Sequence, residues 1–370
     1  MDLLALLTEM IDRDTSDLHL AAGVPPVFRL QRSSRTVDKQ VRIDDISITE
    51  ERHRDGNQRQ LTTYGKRILT DDDMAGLASQ LPVVAKGFGP FASSRRSAIV
   101  ESAGRIWRVE QATTCGVPVL TARLLPERVP TMRELFDASR LLTSLIHYPS
   151  GIILIAGGME SGKTTTAYAL VEQLNLNHSR RIVILGMEYP MTSKMSLVSH
   201  LVEGIDCSSL AEGLRIAAAM DPNVVLVPDL PDGETVTEAL RRAQIALVIA
   251  TVHAGTARDA LRMVVRLTAP QESVTRLRLA GSLQALIAQR LIQRGFEQGR
   301  VPAHEILLGQ PDVWERIAAG DDDVADMIEQ GRATGMCTMD DSVIHLCIRG
   351  QISRDSARES LSDPGFLPEA

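Results

Sequence analysis

Gly157, Gly158, Met159, Glu160, Ser161, Gly162, Lys163 and Thr164 follow one another in the order G-x-x-x-x-G-K-[ST]. Such a run can hold a nucleoside triphosphate. Its glycines let the backbone wrap phosphate closely with N–H groups pointing inward, at the positive end of the helix that follows. Lys163 would reach the β and γ phosphates, and Thr164 would offer its hydroxyl to Mg²⁺, with Thr165 a weaker candidate beside it. A chance match in a chain this long has odds on the order of one per cent. Hydrolysis needs more: one carboxylate near the γ-phosphate to orient water, and another near Mg²⁺. Acids at the ends of apolar runs are the places to look.

These groups need a frame, and the sequence around them supplies one. Apolar runs at Ile152 to Ala156, Ile182 to Met187, Val224 to Val227 and Leu247 to Val252 alternate with helical stretches at Thr164 to Leu174, Leu210 to Met220 and Thr235 to Ala243. Caps are expected near Ser208 and Glu234. That alternation predicts a parallel sheet wrapped by helices. Beyond His253 the chain reads as helical, with one more β-like run at Val301 to Leu308. Pro126, Pro130 and a helix-like stretch from Met132 to Ile146 look like a linker and a leading helix.

The N-terminal third has a different pattern. Leu3, Leu4, Leu7 and Ile11 recur at helical spacing and give way to a short strand, Leu18 to Leu20. Runs at Ile99-Val100, Ile106 to Val109 and Val117 to Leu125, punctuated by Gly104 and Gly116, predict a small antiparallel sheet. Residues 31–60 are dense in Arg, Asp, Gln and Ser, with a brief alternation at Val41, Ile43, Ile46 and Ile48, and read as an irregular excursion.

Composition removes some functions. With 370 residues and 44% hydrophobic content the chain can bury a full core and more than one domain. The formal net charge of -7 leaves no global positive field for nucleic acid phosphates, so no nucleic acid partner is expected. Cys115, Cys207, Cys337 and Cys347 lie too far apart for a C-x-x-C zinc or redox pair and read as buried thiols in a reducing compartment. The opening MDLLALLTEMIDRD is unlike a signal peptide, and no segment reaches the roughly 18 to 20 apolar residues of a membrane span. A cytoplasmic protein is expected, peripheral at the inner membrane through a partner.

With the phosphate loop placed, other stretches resemble the PilT-like branch of the type II/IV secretion ATPases. Ser16-Asp17-Leu18-His19-Leu20, with Gly23, Pro25, Pro26 and Arg29, is similar to the SDLHL opening of that family's small N-terminal domain. Asp221 to Val227 is similar to its run into the Walker B strand, and Ser282-Leu283-Gln284-Ala285 and Arg300 to Ile306 to later signatures. Gly335-Met336-Cys337-Thr338-Met339-Asp340 resembles its C-terminal motif. The absence of a four-cysteine insert places the chain nearer the retraction branch than the assembly branch.

The resemblance implies roles for particular residues. Glu188 matches the first glutamate of the family's E-D-P-x-E box, in which Tyr189 and Thr192 replace the other two acids; Thr192 stands where the family polarises water. Asp229 stands at the Walker B glutamate, shorter by one methylene, between Pro228 and Pro231, which replace a glycine and an arginine; a plain helix-capping acid is the alternative. His253 fits the second histidine of the histidine box, a γ-phosphate sensor, and the first histidine is absent. Arg108 and Arg123 match two arginines that face nucleotide, a role suited to the planar guanidinium fork. Ile106 takes the place of a third, near Arg105. Arg258, Arg262 and Arg266 form either a solvated stripe or a subunit contact. Asp312 to Ile317 matches poorly the helix that the family links to retraction.

The expectations are therefore an α/β protein with a small α+β, PAS-like N-terminal domain over residues 1–127. A RecA-like P-loop domain with a helical C-terminal part follows over 128–370. By resemblance the chain is a hexameric ring ATPase that uses ATP and Mg²⁺. It would act on a pilus or on an inner-membrane secretion platform, beside a paralogous motor ATPase. The rival reading is a nucleotide-binding accessory that hydrolyses slowly or not at all, favoured by Tyr189, Thr192, Pro228 and the missing histidine.

Overall fold

The computed structural model describes residues 3–12, 15–30, 61–63, 68–79, 95–102, 104–136, 139–295, 299–362 and 365. The polar excursion 31–60, with its alternating Val41 to Ile48, lies outside the described residues. Two compact units result, one of residues 1–127 with Gly204–Asp206, the other of Arg128–Glu203 with Cys207–Ala370.

In the first unit, α1 (Leu3–Asp12) and α2 (Asp71–Ser79) accompany strands β1 (Thr15–Leu20), β2 (Val27–Leu30), β3 (Leu61–Thr63), β4 (Arg95–Ser102), β5 (Arg105–Thr114) and β6 (Val117–Leu124). The strands form one antiparallel sheet in the order β3-β2-β1-β6-β5-β4. Leu3, Leu7 and Met10 of α1 lie on one helical face and pack with Leu18, Leu20, Trp107, Val109 and Leu120. Period-2 alternation explains why Trp107 and Val109 are buried while their neighbours are not. Cys115 and Gly116, both at positive φ, make the tight β5–β6 turn. Cys115 is exposed there and Cys337 and Cys347 are half-buried, so only Cys207 fits the buried-thiol expectation. A hairpin tip has no core for a thiol to enter.

The second unit opens with α3 (Met132–Leu135) and α4 (Ser139–Leu145) where one helix was expected. Phe136 is the reason: its extended backbone, φ -138°, ends α3, and its ring is buried in the core. Then come β7 (Gly151–Gly157), α5 (Lys163–Asn177), β8 (Arg181–Leu185), β9 (Leu197–Leu201), α6 (Leu210–Ala219), β10 (Val224–Val227), α7 (Gly233–Ala243), β11 (Leu247–His253), α8 (Ala257–Leu267) and α9 (Glu272–Ala280). After these run β12 (Leu283–Gln293), β13 (Arg300–Leu308), α10 (Pro311–Ala319), α11 (Val324–Gln330), α12 (Met339–Ile348) and α13 (Arg354–Ser360).

The seven strands are ordered β13-β12-β7-β11-β10-β8-β9, all parallel except β13 against β12. Helices cover both faces, so β7, β10 and β11 are apolar without alternation, and Ile152 through Ala156 are at most 1% exposed. Burying each of the Ile and Leu side chains in that run contributes about 1.5–3 kcal/mol. Parallel strands end at the same edge of the sheet, so the residues after β7, β8, β10 and β11 gather at one crevice. Strand β12 was read as helix. Its run Leu283 to Ile292 is short of β-punctuation, and only pairing on both sides, with β7 and β13, makes it a strand.

Candidate functional site

The phosphate loop leaves β7 at Gly157 and enters α5 at Lys163. Gly162, the helix N-cap, sits at φ +86°, and a Cβ there would meet Gln289 Nε2 at 2.7 Å. At Gly157 a Cβ would strike Ser161 Oγ and lie 2.6 Å from the Gln289 carbonyl oxygen. Gly162 is therefore required by its left-handed turn and Gly157 by the close approach of the Gln289 backbone. Gly158 faces open space. Ser161 is 7% exposed and its Oγ has no hydrogen-bond partner.

Lys163 is 6% exposed. Its Nζ donates to the Gly158 carbonyl at 2.6 Å and lies 3.5 Å from His253 Nδ1. Burial lowers its pKa, and the nearby charge of Asp229 opposes that shift. The ammonium is thus nearly buried, with one backbone carbonyl and the His253 ring as its partners. His253 reaches it because β11 pairs with β7 in register, His253 opposite Gly157.

Asp229 follows β10. Its Oδ1 accepts the N–H of Leu230 at 2.9 Å, whereas the cap of α7 is Asp232, which accepts from Thr235 at 2.8 Å. Asp229 is thus not the helix cap, and its charge acts on Lys163. The turn is tied to β11 by the Thr251 hydroxyl, which donates to the Pro228 carbonyl. The cap of α6 is likewise Ser209, one residue past the expected Ser208.

Glu188 lies past the end of β8, half-buried, its backbone N–H donating to the Tyr168 hydroxyl at 3.1 Å. Tyr189 turns inward and shares a 3.0 Å hydrogen bond with Thr165, while its ring packs 5.1 Å from Tyr168. Burial raises the Tyr189 pKa. Thr165 is therefore occupied by Tyr189, whereas Thr164 is half-buried and its hydroxyl carries no hydrogen bond among the described residues. Thr192 is exposed, and its carbonyl accepts from Asn175.

The crevice thus brings together Lys163, Asp229 and His253, with Thr164 at the start of α5 and Glu188 beyond the neighbouring strand. Arg108 and Arg123 belong to the other unit. There Arg123 Nε donates to Asp17 at 2.7 Å, Arg108 lies 3.4 Å from Glu110, and Arg105 pairs with Glu127 at 2.9 Å. The arginine stripe of α8 is not simply solvated: Arg262 pairs with Asp322 at 3.2 Å and Arg258 with Asp323 at 3.1 Å. A cavity of about 440 Å³ opens beside His253, walled by Asp259, Arg262, Met263 and Arg266.

One contact residue, Gln289, escaped the sequence reading, and a second, Glu305, entered it only within the Arg300 to Ile306 resemblance. Gln289, 3% exposed on β12, holds both Ser161 and Thr166. Glu305 on β13 accepts the N–H of Ala257 at the start of α8, four residues beyond His253. A polar residue inside an apolar strand was the available signal for both; for Gln289 it was hidden while β12 read as helix, whereas Glu305 stood in a run already read as a strand.

Among the described residues no group of three or more His, Cys, Asp or Glu could hold a metal by itself. A Mg²⁺ ion at this site would therefore need phosphate oxygens to complete its ligand set. The glycine cradle and the buried ammonium fit those phosphates.

Sheet order, loop and lysine define a nucleotide-binding P-loop protein of the RecA-like α/β kind. The family model of the type II/IV secretion system proteins matches residues 130–348, and the chain belongs to that family, on its PilT-like side. It is 31% identical over 98% of its length to the type IV pilus retraction ATPase PilT of Pseudomonas aeruginosa, 99% of which is covered. It is 32% identical to a twitching motility protein of Neisseria gonorrhoeae over 68% of each chain. A crystal structure of the pilus retraction motor PilT with bound ADP superposes with a TM-score of 0.77, at 26% identity and 99% coverage of both chains. No helix among the described residues is long and apolar enough to cross a membrane.

Proposed function

We propose that this chain is a motor subunit that binds and hydrolyses Mg-ATP to drive retraction of a type IV pilus or the work of a related secretion machine. The observation that carries the reading is Lys163, buried beneath its own loop, with its Nζ between the Gly158 carbonyl and His253. Incoming phosphate replaces the Gly158 carbonyl as its partner. Charge-assisted hydrogen bonds of this kind are among the strong ones. The N–H groups of the loop and of the first turn of α5 complete the anion site.

The residues divide the work. Gly157, Gly158, Ser161, Gly162 and Lys163 cradle the β and γ phosphates. Thr164 and Asp229 would hold Mg²⁺, which would offset the phosphate charge. His253 accepts from Lys163 through Nδ1, which leaves its Nε2–H to sense the γ-phosphate. Glu188 is the carboxylate assigned to the attacking water, because Tyr189 is engaged with Thr165 and Thr192 carries no charge. Arg108 and Arg123 are assigned to nucleotide phosphate. A hexameric ring, in the cytoplasm and docked on an inner-membrane pilus or secretion platform, completes the proposal.

Steady-state phosphate release with Mg-ATP tests it, comparing wild type with Lys163→Ala and Asp229→Ala. Both variants should lose at least tenfold in rate. Wild type no faster than either variant, yet still binding nucleotide, would instead support a slow or silent accessory subunit. The absence of carboxylates at Tyr189 and Thr192 is the observation behind that second reading.

A further inference from the structure

We propose that Gln289 is a positioning residue for the phosphate site: its side-chain amide holds the Ser161 carbonyl down, and so aims the Gly162 N–H at phosphate. The proposal rests on the nucleotide-binding reading of the loop and deepens it.

Gln289 Nε2 donates to the Ser161 carbonyl at 2.7 Å, and its Oε1 accepts the Thr166 hydroxyl at 2.8 Å. The side chain is almost wholly buried, so both bonds form away from competing water. One amide thus grips the loop just before Gly162 and the helix just after Lys163. Its own main chain adds to the floor, since the Gln289 carbonyl oxygen closes the space beneath Gly157.

Peptide planarity turns this grip into an aim. In a trans peptide the C=O and the N–H of one unit point in opposite directions. The carbonyl of Ser161 and the N–H of Gly162 belong to the same unit. Fixing that carbonyl against Gln289 therefore sends the Gly162 N–H away from β12, toward the open side of the loop. The positive φ of Gly162 is what this orientation requires, and no Cβ could stand there against the amide. Without Gln289 the Ser161 peptide is free to rotate, and its carbonyl oxygen could face the anion in place of the N–H.

The two bonds of Gln289 predict different consequences. The bond to Ser161 sets the direction of a phosphate-binding group, while the bond to Thr166 only braces α5. Gln289→Met keeps size and burial but removes both, and Thr166→Val removes the brace alone.

Calorimetric ADP binding with Mg²⁺ and the melting temperature of the free protein should be measured for wild type, Gln289→Met and Thr166→Val. The expected result is a Kd raised at least tenfold by Gln289→Met and changed less than threefold by Thr166→Val. An amide that is merely structural would give equal losses of melting temperature in both variants and an unchanged Kd, which overturns the proposal. If Gln289→Met does not fold, Gln289→Glu is read the same way: it can still accept from Thr166 but sets a carboxylate against the Ser161 carbonyl. ADP binding by wild type with Kd unchanged in the Gln289 variant overturns this inference alone. No binding by wild type overturns the nucleotide reading and this inference together.

Discussion

Arg123 donates its Nε to the carboxylate of Asp17 at 2.7 Å, across the paired strands β6 and β1. The Asp17 side chain is 5% exposed and that of Arg123 56%, so a buried anion holds a guanidinium whose larger part faces solvent. This explains why an acid can be buried in the Ser16-Asp17-Leu18 opening, on the face opposite Leu18 and Leu20.

Arg123→Ala should therefore destabilise the protein more than Arg108→Ala. The first leaves a buried carboxylate without this partner, a loss of about 3 kcal/mol if nothing relaxes. The second breaks a partly solvated pair, typically worth below about 1 kcal/mol. Urea denaturation of the two variants checks the order, and equal midpoints would contradict it.

Lys163 links nucleotide affinity to alkaline pH. Burial lowers its pKa, so the ammonium is lost at a less alkaline pH than for an ordinary lysine, and ADP affinity should fall as pH rises through that value. Asp229 raises the pKa through its charge, so Asp229→Asn should move the fall to lower pH. Calorimetric titrations across a pH series with Mg²⁺ held constant decide it. A fall that does not shift in the variant removes Asp229 from the vicinity of the ammonium.

His304 controls acid stability. Burial, with a smaller contribution from His345, pushes its pKa from 6.5 down to about 4, and its Nδ1 is buried without a partner against the edge of Phe136. The unfolded chain protonates below 6.5 while the folded chain resists until about 4, so stability is full above 6.5 and declines as pH falls through that window. The loss approaches about 3 kcal/mol at its lower end. His304→Leu should flatten this part of the stability–pH curve, measured by denaturant melts between those limits.

Asp322 joins α8 and α9 to the loop after α10. It pairs with Arg276 at 2.7 Å and Arg262 at 3.2 Å, and its carbonyl accepts from Arg258. These guanidinium contacts hold its pKa below the usual carboxylate range. Asp322→Ala should cost roughly 1–3 kcal/mol, since it strips partly buried arginines of their shared anion. The loss should shrink in molar salt, which screens the wild-type pairs. A loss independent of salt would point to packing instead.

Much of this molecule could be read before its fold. Strands β7, β10 and β11 were legible because burial on both faces forces unbroken apolar runs, and the glycines and Lys163 because phosphate demands those types at that spacing. Strand β12 was not legible, because its run differs from a buried helix only through its neighbours. Strand β9 was missed for the opposite reason: at the sheet edge, its Leu197 to Leu201 is nowhere buried. Asp229 and His253 stand at strand ends but were picked out through the family resemblance, and only the parallel register brings His253 to Lys163. Gln289 and Glu305 act through contacts more than 40 residues away in sequence, which no local pattern encodes.

The register of the terminal hairpin sets two grips in phase. Ala288 faces Glu305 and Gln289 faces His304 across β12 and β13, so Gln289 and Glu305 project to opposite sides of the sheet, one toward the phosphate loop and the other toward the start of α8. A slip of β13 by a single residue against β12, which β7 holds in place, would turn Glu305 to the wrong face and release its grip on α8. Insertions should thus be borne at the hairpin tip, between Gln293 and Arg300, and refused anywhere between that tip and either grip.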